Sequence, residues 1–393
     1  MPRALWLLII GMAVNVTGNS FLWPLNSIYI HEHLGKSLSV AGFVLMLNSG
    51  ASVIGNLYGG RLFDKLGGYK SILLGIIITL FALVGLSIWH GWPEYVAFLT
   101  IIGFGTGIVF PSMYAMAGSV WKEGGRKAFN AMYVAQNLGV AVGAALGGIV
   151  ADYSFQLIFL ANTFMYMLFF LIAVFGYKGI TSDSTKQADI QNDKAQVNSR
   201  KNLHALLILC SGYLLCWVAY VQWPTTIASY TQQIHISLTQ YSLLWTINGA
   251  LIVLGQPLLN IILKHLAASL KLQMLIGIGI FIISFFVAGK ASAFSGFLAA
   301  MLILTIGEMF IWPAVPTVAY TLAPKGREGF YQGIVNSTAT GGRMLGPLLG
   351  GVLVDLYSMS TLFMVLIALF LISIVTTLIY DRSMVKGTVR GQI

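Results

Sequence analysis

A carboxylate and a guanidinium stand where this chain tolerates charge least. Of 12 Asp and Glu residues, only Glu308 lies deep inside an apolar stretch, and of 22 Lys and Arg residues only Arg343 does. Asp152 and Asp355 fall near the ends of theirs. A charge at mid-membrane depth is costly and is kept where it faces a cavity or a partner. Glu308 is about 14 residues from the start of its stretch and Arg343 about 12 residues from the finish of the next, ends that lie on the same, outer side, so at about 1.5 Å per residue they reach a similar depth. The chemistry this suggests is reversible protonation. Glu308 would be the titrating carboxylate and Arg343 its electrostatic partner, with protonation releasing the pair and shifting the balance between two conformations. A fixed structural ion pair is the alternative. The six histidines (His31, His33, His90, His204, His235 and His265) sit at the ends of stretches or between them and are not assigned to proton relay.

Around this pair the apolar stretches hold polar and aromatic side chains able to line a cavity: Asn19, Trp23, Asn26, Asn48, Gln136, Trp217, Tyr220, Gln222, Trp223, Asn248 and Trp312. Buried Asn and Gln also cross-link helices, and some Trp and Tyr form interfacial belts. As a set with one acid, they suit an amphipathic or cationic organic substrate. They do not form the basic clamp a phosphate ester needs.

The elements that must position these residues follow from composition. The chain has 393 residues, 57% apolar and 9% charged, with mean hydropathy +0.83. A soluble domain carries about 25% charged residues, so this composition cannot make a water-exposed shell. Long apolar runs, each near the roughly 20 residues that cross a bilayer, are expected at 4–28, 38–62, 71–90, 94–118, 128–151, 156–177, 203–230, 239–263, 272–289, 294–321, 329–355 and 360–380. The alternation of a β-barrel is absent. Residues 4–28 hold Asn15, Asn19 and Asn26 and read as a first span, not a cleaved leader. With the N-terminus inside, 19 of the 22 Lys and Arg residues fall in inner segments and only Lys36 and Lys290 in outer ones. That asymmetry predicts both termini in the cytoplasm and a multi-pass protein of the cell's inner (plasma) membrane. The charge forms no basic stripe, so nucleic acid is not an expected partner. Cys210 and Cys216, six apart in one apolar run, suggest neither a disulfide framework nor a metal site.

The polar stretch 178–202 reads as a cytoplasmic linker between an N-terminal half, 1–177, and a C-terminal half, 203–393. The halves match. Trp23-Pro24 recurs as Trp223-Pro224, Ser37-Leu38 as Ser237-Leu238, Asn48 as Asn248, Gly55 as Gly255 and Leu66 as Leu266. Gly105 and Pro111 recur as Gly307 and Pro313, and Gly143, Gly147, Gly148 and Asp152 as Gly346, Gly350, Gly351 and Asp355. One identity between apolar helices is weak; a near-constant offset through much of each half is a duplication. Parallel repeats of six helices with the substrate site between them are one transporter plan.

After the second span comes Gly60-Arg61-Leu62-Phe63-Asp64-Lys65-Leu66-Gly67-Gly68-Tyr69-Lys70. It resembles the G-x-L-x-D-R-x-G-R-K motif of the major facilitator superfamily, with Lys65 in place of Arg and a looser ending. The resemblance implies an all-α integral membrane protein of about 12 transmembrane helices in two six-helix parallel repeats. It also implies a gating loop (Gly60, Asp64, Lys65, Gly67, Lys70) whose acid, Asp64, latches the cytoplasmic side. The second copy has Lys264 where Asp64 stands. Gly139-x-x-x-Gly143-Ala144-x-x-Gly147-Gly148 resembles the family's antiporter motif without its proline, and Gly342-x-x-x-Gly346-Pro347-x-x-Gly350-Gly351 keeps it. Glycines four apart line one helix face and let a second helix approach. Gly307-Glu308-x-x-x-x-Pro313 resembles a stretch of bacterial drug-proton antiporters in which the Glu serves a proton or a cation. The Arg that many of them carry four residues before G-x-G in span 4 is here Leu99, before Gly103-Phe104-Gly105.

The leading expectation is a secondary active transporter exporting hydrophobic or cationic organic compounds in exchange for protons. A symporter or facilitator for a metabolite such as a sugar, a lipid flippase, and a non-transporting receptor are the other classes. Nothing suggests an enzyme: there is no nucleotide loop of the GxxxxGK[ST] type, zinc motif or Ser/His/Asp grouping. No catalytic residue, metal or cofactor is expected. The expected partners are a small-molecule substrate, protons and membrane lipid, with the protein a monomer.

Overall fold

The structure is a computed structural model that describes residues 1–22, 26, 29–36, 38–180, 193–266 and 269–382. Among these residues there are twelve helices of 18 residues or more. We label them α1 (Arg3–Leu22), α2 (Leu38–Leu66), α3 (Gly68–Ile88), α4 (Glu94–Val120), α5 (Arg126–Tyr153), α6 (Phe155–Gly176), α7 (Asp193–Tyr220), α8 (Leu238–Leu266), α9 (Leu270–Lys290), α10 (Phe294–Ile311), α11 (Glu328–Leu356) and α12 (Met359–Ile379). With no water in a bilayer core, a spanning segment must satisfy its own backbone groups, which a helix does. Nine of the twelve are long and apolar enough to cross a membrane. The others, α5, α8 and α11, are 28 or 29 residues long and carry polar side chains such as Gln136, Asn248 and Arg343. Exposed Phe81, Phe175, Leu254 and Met364 form the apolar exterior that lipid requires.

Among the described residues each expected span coincides with a helix, and two are seen to be interrupted. Pro224 has no N–H to donate, and after Tyr220 the chain runs through a wide turn, Trp223–Ile227, into a short helix, Ala228–Gln233. At Trp312-Pro313 helix α10 stops, and Ala314–Leu322 resumes beyond it. α7 begins at Asp193, inside the stretch expected as linker. Ser154, Ser269 and Ser358 cap α6, α9 and α12, each accepting a backbone N–H from the first turn.

The chain divides into two compact units, Met1–Ile190 with Pro324–Thr340 and Gln191–Ala323 with Gly341–Ile393. In the first, α4 packs on α2 and α3, α1 on α5 and α6, and α3 on α6. In the second, α10 packs on α8 and α9, α7 on α12, and α9 on α12. Adding six to each helix number maps four of these five pairs onto the second unit. The fold thus repeats the pattern that the sequence offset implies.

Candidate functional site

In the second unit, Glu308 sits near the end of α10, with 2% of its surface exposed. The Asn248 side chain of α8 donates to its Oε1 at 2.8 Å, and Asn248 Nδ2 also lies 2.8 Å from Thr305 Oγ1. Thr305 precedes Glu308 by three residues on the same helix face, and its hydroxyl donates back to Met301 O. An aromatic cluster adjoins the acid. Trp217 and Trp312 stack at 4.4 Å with 14° between planes. Tyr220 meets both edge-on at 5.4 Å, and Tyr213, Trp245 and Phe281 complete the group. The Tyr220 hydroxyl lies within electrostatic reach of both Glu308 and Arg343. The Arg343 guanidinium lies over the Trp217 ring, 4.8 Å from its centroid, a geometry in which the ring quadrupole attracts the cation. Arg343 is exposed, in contrast to Glu308. Tyr213, Trp245, Phe281 and Thr305 were not among the expected site residues. Tyr213, Trp217 and Tyr220 follow the i, i+4, i+7 spacing of one helix face, a signal present in the sequence.

Other expected cavity residues are engaged in cross-links. Gln222, fully buried, gives its amide hydrogens to Gly346 O at 2.6 Å and Val218 O at 3.0 Å, and its Oε1 accepts from Thr226. Trp223 is also fully buried, packed edge-on against Phe285 and Phe297. In the first unit Asn48 donates to Leu99 O at 2.6 Å, tying α2 to α4. Asn26 accepts from the Tyr95 hydroxyl at 2.7 Å, and Gln136 from Tyr114 at 3.0 Å. Asn19 accepts from Tyr166 and donates to Asn15. Trp23 lies outside the described residues.

The motif expected as a loop is helical. α2 continues through Leu66, the chain turns at Gly67, whose φ of 82° favours glycine, and α3 starts at Gly68. Lys65 and Lys70 are exposed. Asp64 accepts two backbone N–H groups at the start of α11, Gly329 N at 2.8 Å on Oδ1 and Phe330 N at 2.9 Å on Oδ2. A carboxylate there meets the orphan donors and positive end of a helix. Arg61 lies over the Phe330 ring at 5.3 Å. At Gly60 and Gly329 the backbones approach so closely that a Cβ on either would strike the other's carbonyl oxygen. Farther along the two helices Ser337 donates to Val53 O at 3.1 Å, and Asn56 lies 3.4 Å from Thr340 Oγ1. All these residues belong to the first unit. Burial raises the carboxyl pKa of Glu328, the residue before Gly329, opposed by backbone N–H groups there and by Lys122.

The glycine motifs pack one helix pair in each unit. A Cβ on Gly139 or Gly143 of α5 would strike the α1 backbone at Ala13 or Thr17, and one on Gly147 would press on Phe21. On α11, Gly342, Gly346 and Gly350 meet Trp217, Val218, Val221 and Gln222 of the α7 segment in the same way. Pro347 is accommodated within α11. Gly351 differs, because a Cβ there would meet nothing within 4 Å. Gly148 is helical, and its contacts lie outside the described residues.

The Major Facilitator Superfamily model matches residues 8–265 and 208–392. The chain belongs to that superfamily, and it is a membrane transporter, not an enzyme. It is 65% identical over 382 residues to the MFS-type transporter YttB of Bacillus subtilis (strain 168), covering 97% of this chain and 96% of that one. The multidrug resistance protein MdtH of Aeromonas hydrophila is 23% identical over 359 residues, 89% of this chain and 87% of that one. Among solved structures, a bacterial homologue of the iron transporter ferroportin, in an outward-facing state, superposes with a TM-score of 0.77 at 14% identity. It covers 96% of this chain and 99% of that one, a likeness of fold alone.

Proposed function

We propose that this transporter exports hydrophobic or cationic organic compounds in exchange for protons, by alternating access. The observation that carries the proposal is Glu308, a carboxylate 2% exposed, held by Asn248 and adjoining stacked Trp217 and Trp312. Aromatic faces bind organic cations, and one acid at such a surface can hold either a proton or a substrate cation. Exchange follows if the two occupants exclude each other. Arg343 covers one face of Trp217 and acts as the partner that Glu308 engages when neither is bound. The MdtH relative, a multidrug resistance protein by name, agrees with an efflux role.

The moving bodies in this proposal are the halves 1–177 and 203–393, joined by the linker 178–202. The contact of Asp64 with the start of α11 is the cytoplasmic latch, and the Gly139–Gly148 and Gly342–Gly351 faces are where paired helices slide or bend. In this reading the protein lies in the inner (plasma) membrane with both termini cytoplasmic, an orientation that the Lys and Arg asymmetry supports. It works as a monomer, with surrounding lipid. The test is uptake of a lipophilic cationic dye such as ethidium into inverted vesicles. The proposal expects accumulation that needs an inside-acid gradient and collapses with an uncoupler. Dye movement indifferent to the gradient, or transport confined to a sugar or a fluorescent lipid, would overturn it.

A further inference from the structure

Beyond the aromatic cluster, the second unit contains a separate cavity of about 500 Å³ where the Trp223–Ile227 turn and the Ala228–Gln233 helix face the far end of α11. Thr225, Thr226, Ser229, Tyr230, Gly351 and Asp355 are in its wall. Asp355 follows Arg343 by about 18 Å along α11, at about 1.5 Å per residue, on the side that the Lys and Arg asymmetry assigns to the outside. We propose that this cavity is an outer-side binding site for protonated amines.

The chemistry of the wall carries the argument. Three of its hydroxyl hydrogens are already committed: Thr225 donates to Val221 O at 2.7 Å, Thr226 to Gln222 Oε1 at 2.7 Å and Ser229 to Thr225 O at 3.4 Å. What these groups have left for a ligand is oxygen lone pairs. Asp355 adds an exposed carboxylate, which accepts only. Tyr230 brings a ring and a hydroxyl, and Gln233 an amide that can turn either way. Pro224, Ala228, Val354 and Met359 give the wall an apolar part able to take hydrocarbon, and its polar part, mostly acceptors with one negative charge, favours a donor-rich cation and repels an anion. Gly351 explains the space. Its neighbours in the glycine motif press against α7, whereas open room surrounds its own Cβ position, so this last glycine of the repeat leaves room for a ligand instead of a helix.

The experiment measures binding of dansylcadaverine, a fluorescent primary amine, to the full chain in phosphatidylcholine nanodiscs. It is done in the Glu308→Gln background, so that the proposed central acid does not contribute. Saturable binding is expected, weakened about tenfold by Asp355→Asn, abolished by Gly351→Phe, and reduced by added salt as charge attraction is screened. Dansylglycine, an anion, should not bind. Competition when phosphatidylethanolamine replaces phosphatidylcholine would identify a lipid amine as the occupant, and undiminished binding a soluble amine; either keeps the site. No binding in this background, or binding indifferent to both Asp355→Asn and Gly351→Phe, overturns the proposal without bearing on Glu308.

Discussion

Replacing Asp64 by Asn tests the latch at a cost the structure lets one work out. The carboxylate holds two backbone N–H groups, those of Gly329 and Phe330, at 2.8 and 2.9 Å. An amide of the same shape keeps one acceptor oxygen but turns its NH2 toward the other donor. One hydrogen bond to a charged group is lost, worth about 1.5–3 kcal/mol, together with a carboxylate at a helix N-terminus, worth about 0.3–1 kcal/mol. With Asp64 only partly buried, a net cost of about 2–3 kcal/mol follows, which raises the population of the open seam roughly 30- to 150-fold. A cysteine at Ser337, whose hydroxyl bonds Val53 O across the same seam, reports the opening. In inverted vesicles, an impermeant maleimide should label Ser337→Cys slowly, and at least about tenfold faster when Asp64→Asn is added. The native Cys210 and Cys216 are buried, and the chain without the new cysteine measures their background. Equal labelling rates with and without Asp64→Asn would refute the latch.

Gly143→Leu and Gly346→Leu should each lower thermal stability in detergent, by roughly 1–3 kcal/mol or more, since the added atoms meet the Thr17 and Val218 carbonyl oxygens. Gly351→Ala, with open space at its Cβ, should leave the melting temperature in place. Trp312→Leu removes the stacked face at 4.4 Å from Trp217 and should raise the apparent KM for a cationic dye about five- to thirtyfold, with loss of about 1–2 kcal/mol of cation–π attraction. Arg343→Lys keeps the charge but loses the planar group lying on Trp217; transport should fall nearly as far as with Arg343→Gln. Full activity in Arg343→Lys would show that charge alone matters there.

Periodicity and small residues carried the fold. Apolar runs located the helices because a membrane span must be long and apolar, and glycines four apart marked the faces of α5 and α11 open to close approach, while their partners, α1 and α7, came only with the structure. The sequence does not show where a side chain ends. Gln222 and Trp223 have the composition of cavity residues, yet one spends its amide on Gly346 and Val218 and the other sits wholly in Phe285 and Phe297. Arg343, expected beside Glu308 deep in its stretch, is exposed and lies on a Trp face. The partners of Asp64 were beyond reach because Gly329 and Phe330 bind through backbone N–H groups, which any residue but proline would supply. Glu308 was visible because an acid inside an apolar helix is costly and therefore rare.

The central claim is that Glu308 couples protons to transport, and reconstituted Glu308→Gln tests it most directly. In proteoliposomes, exchange of labelled dye at equal concentrations should persist, while accumulation driven by an imposed pH gradient is lost. Gradient-driven accumulation by Glu308→Gln equal to that of the unaltered protein would contradict the account.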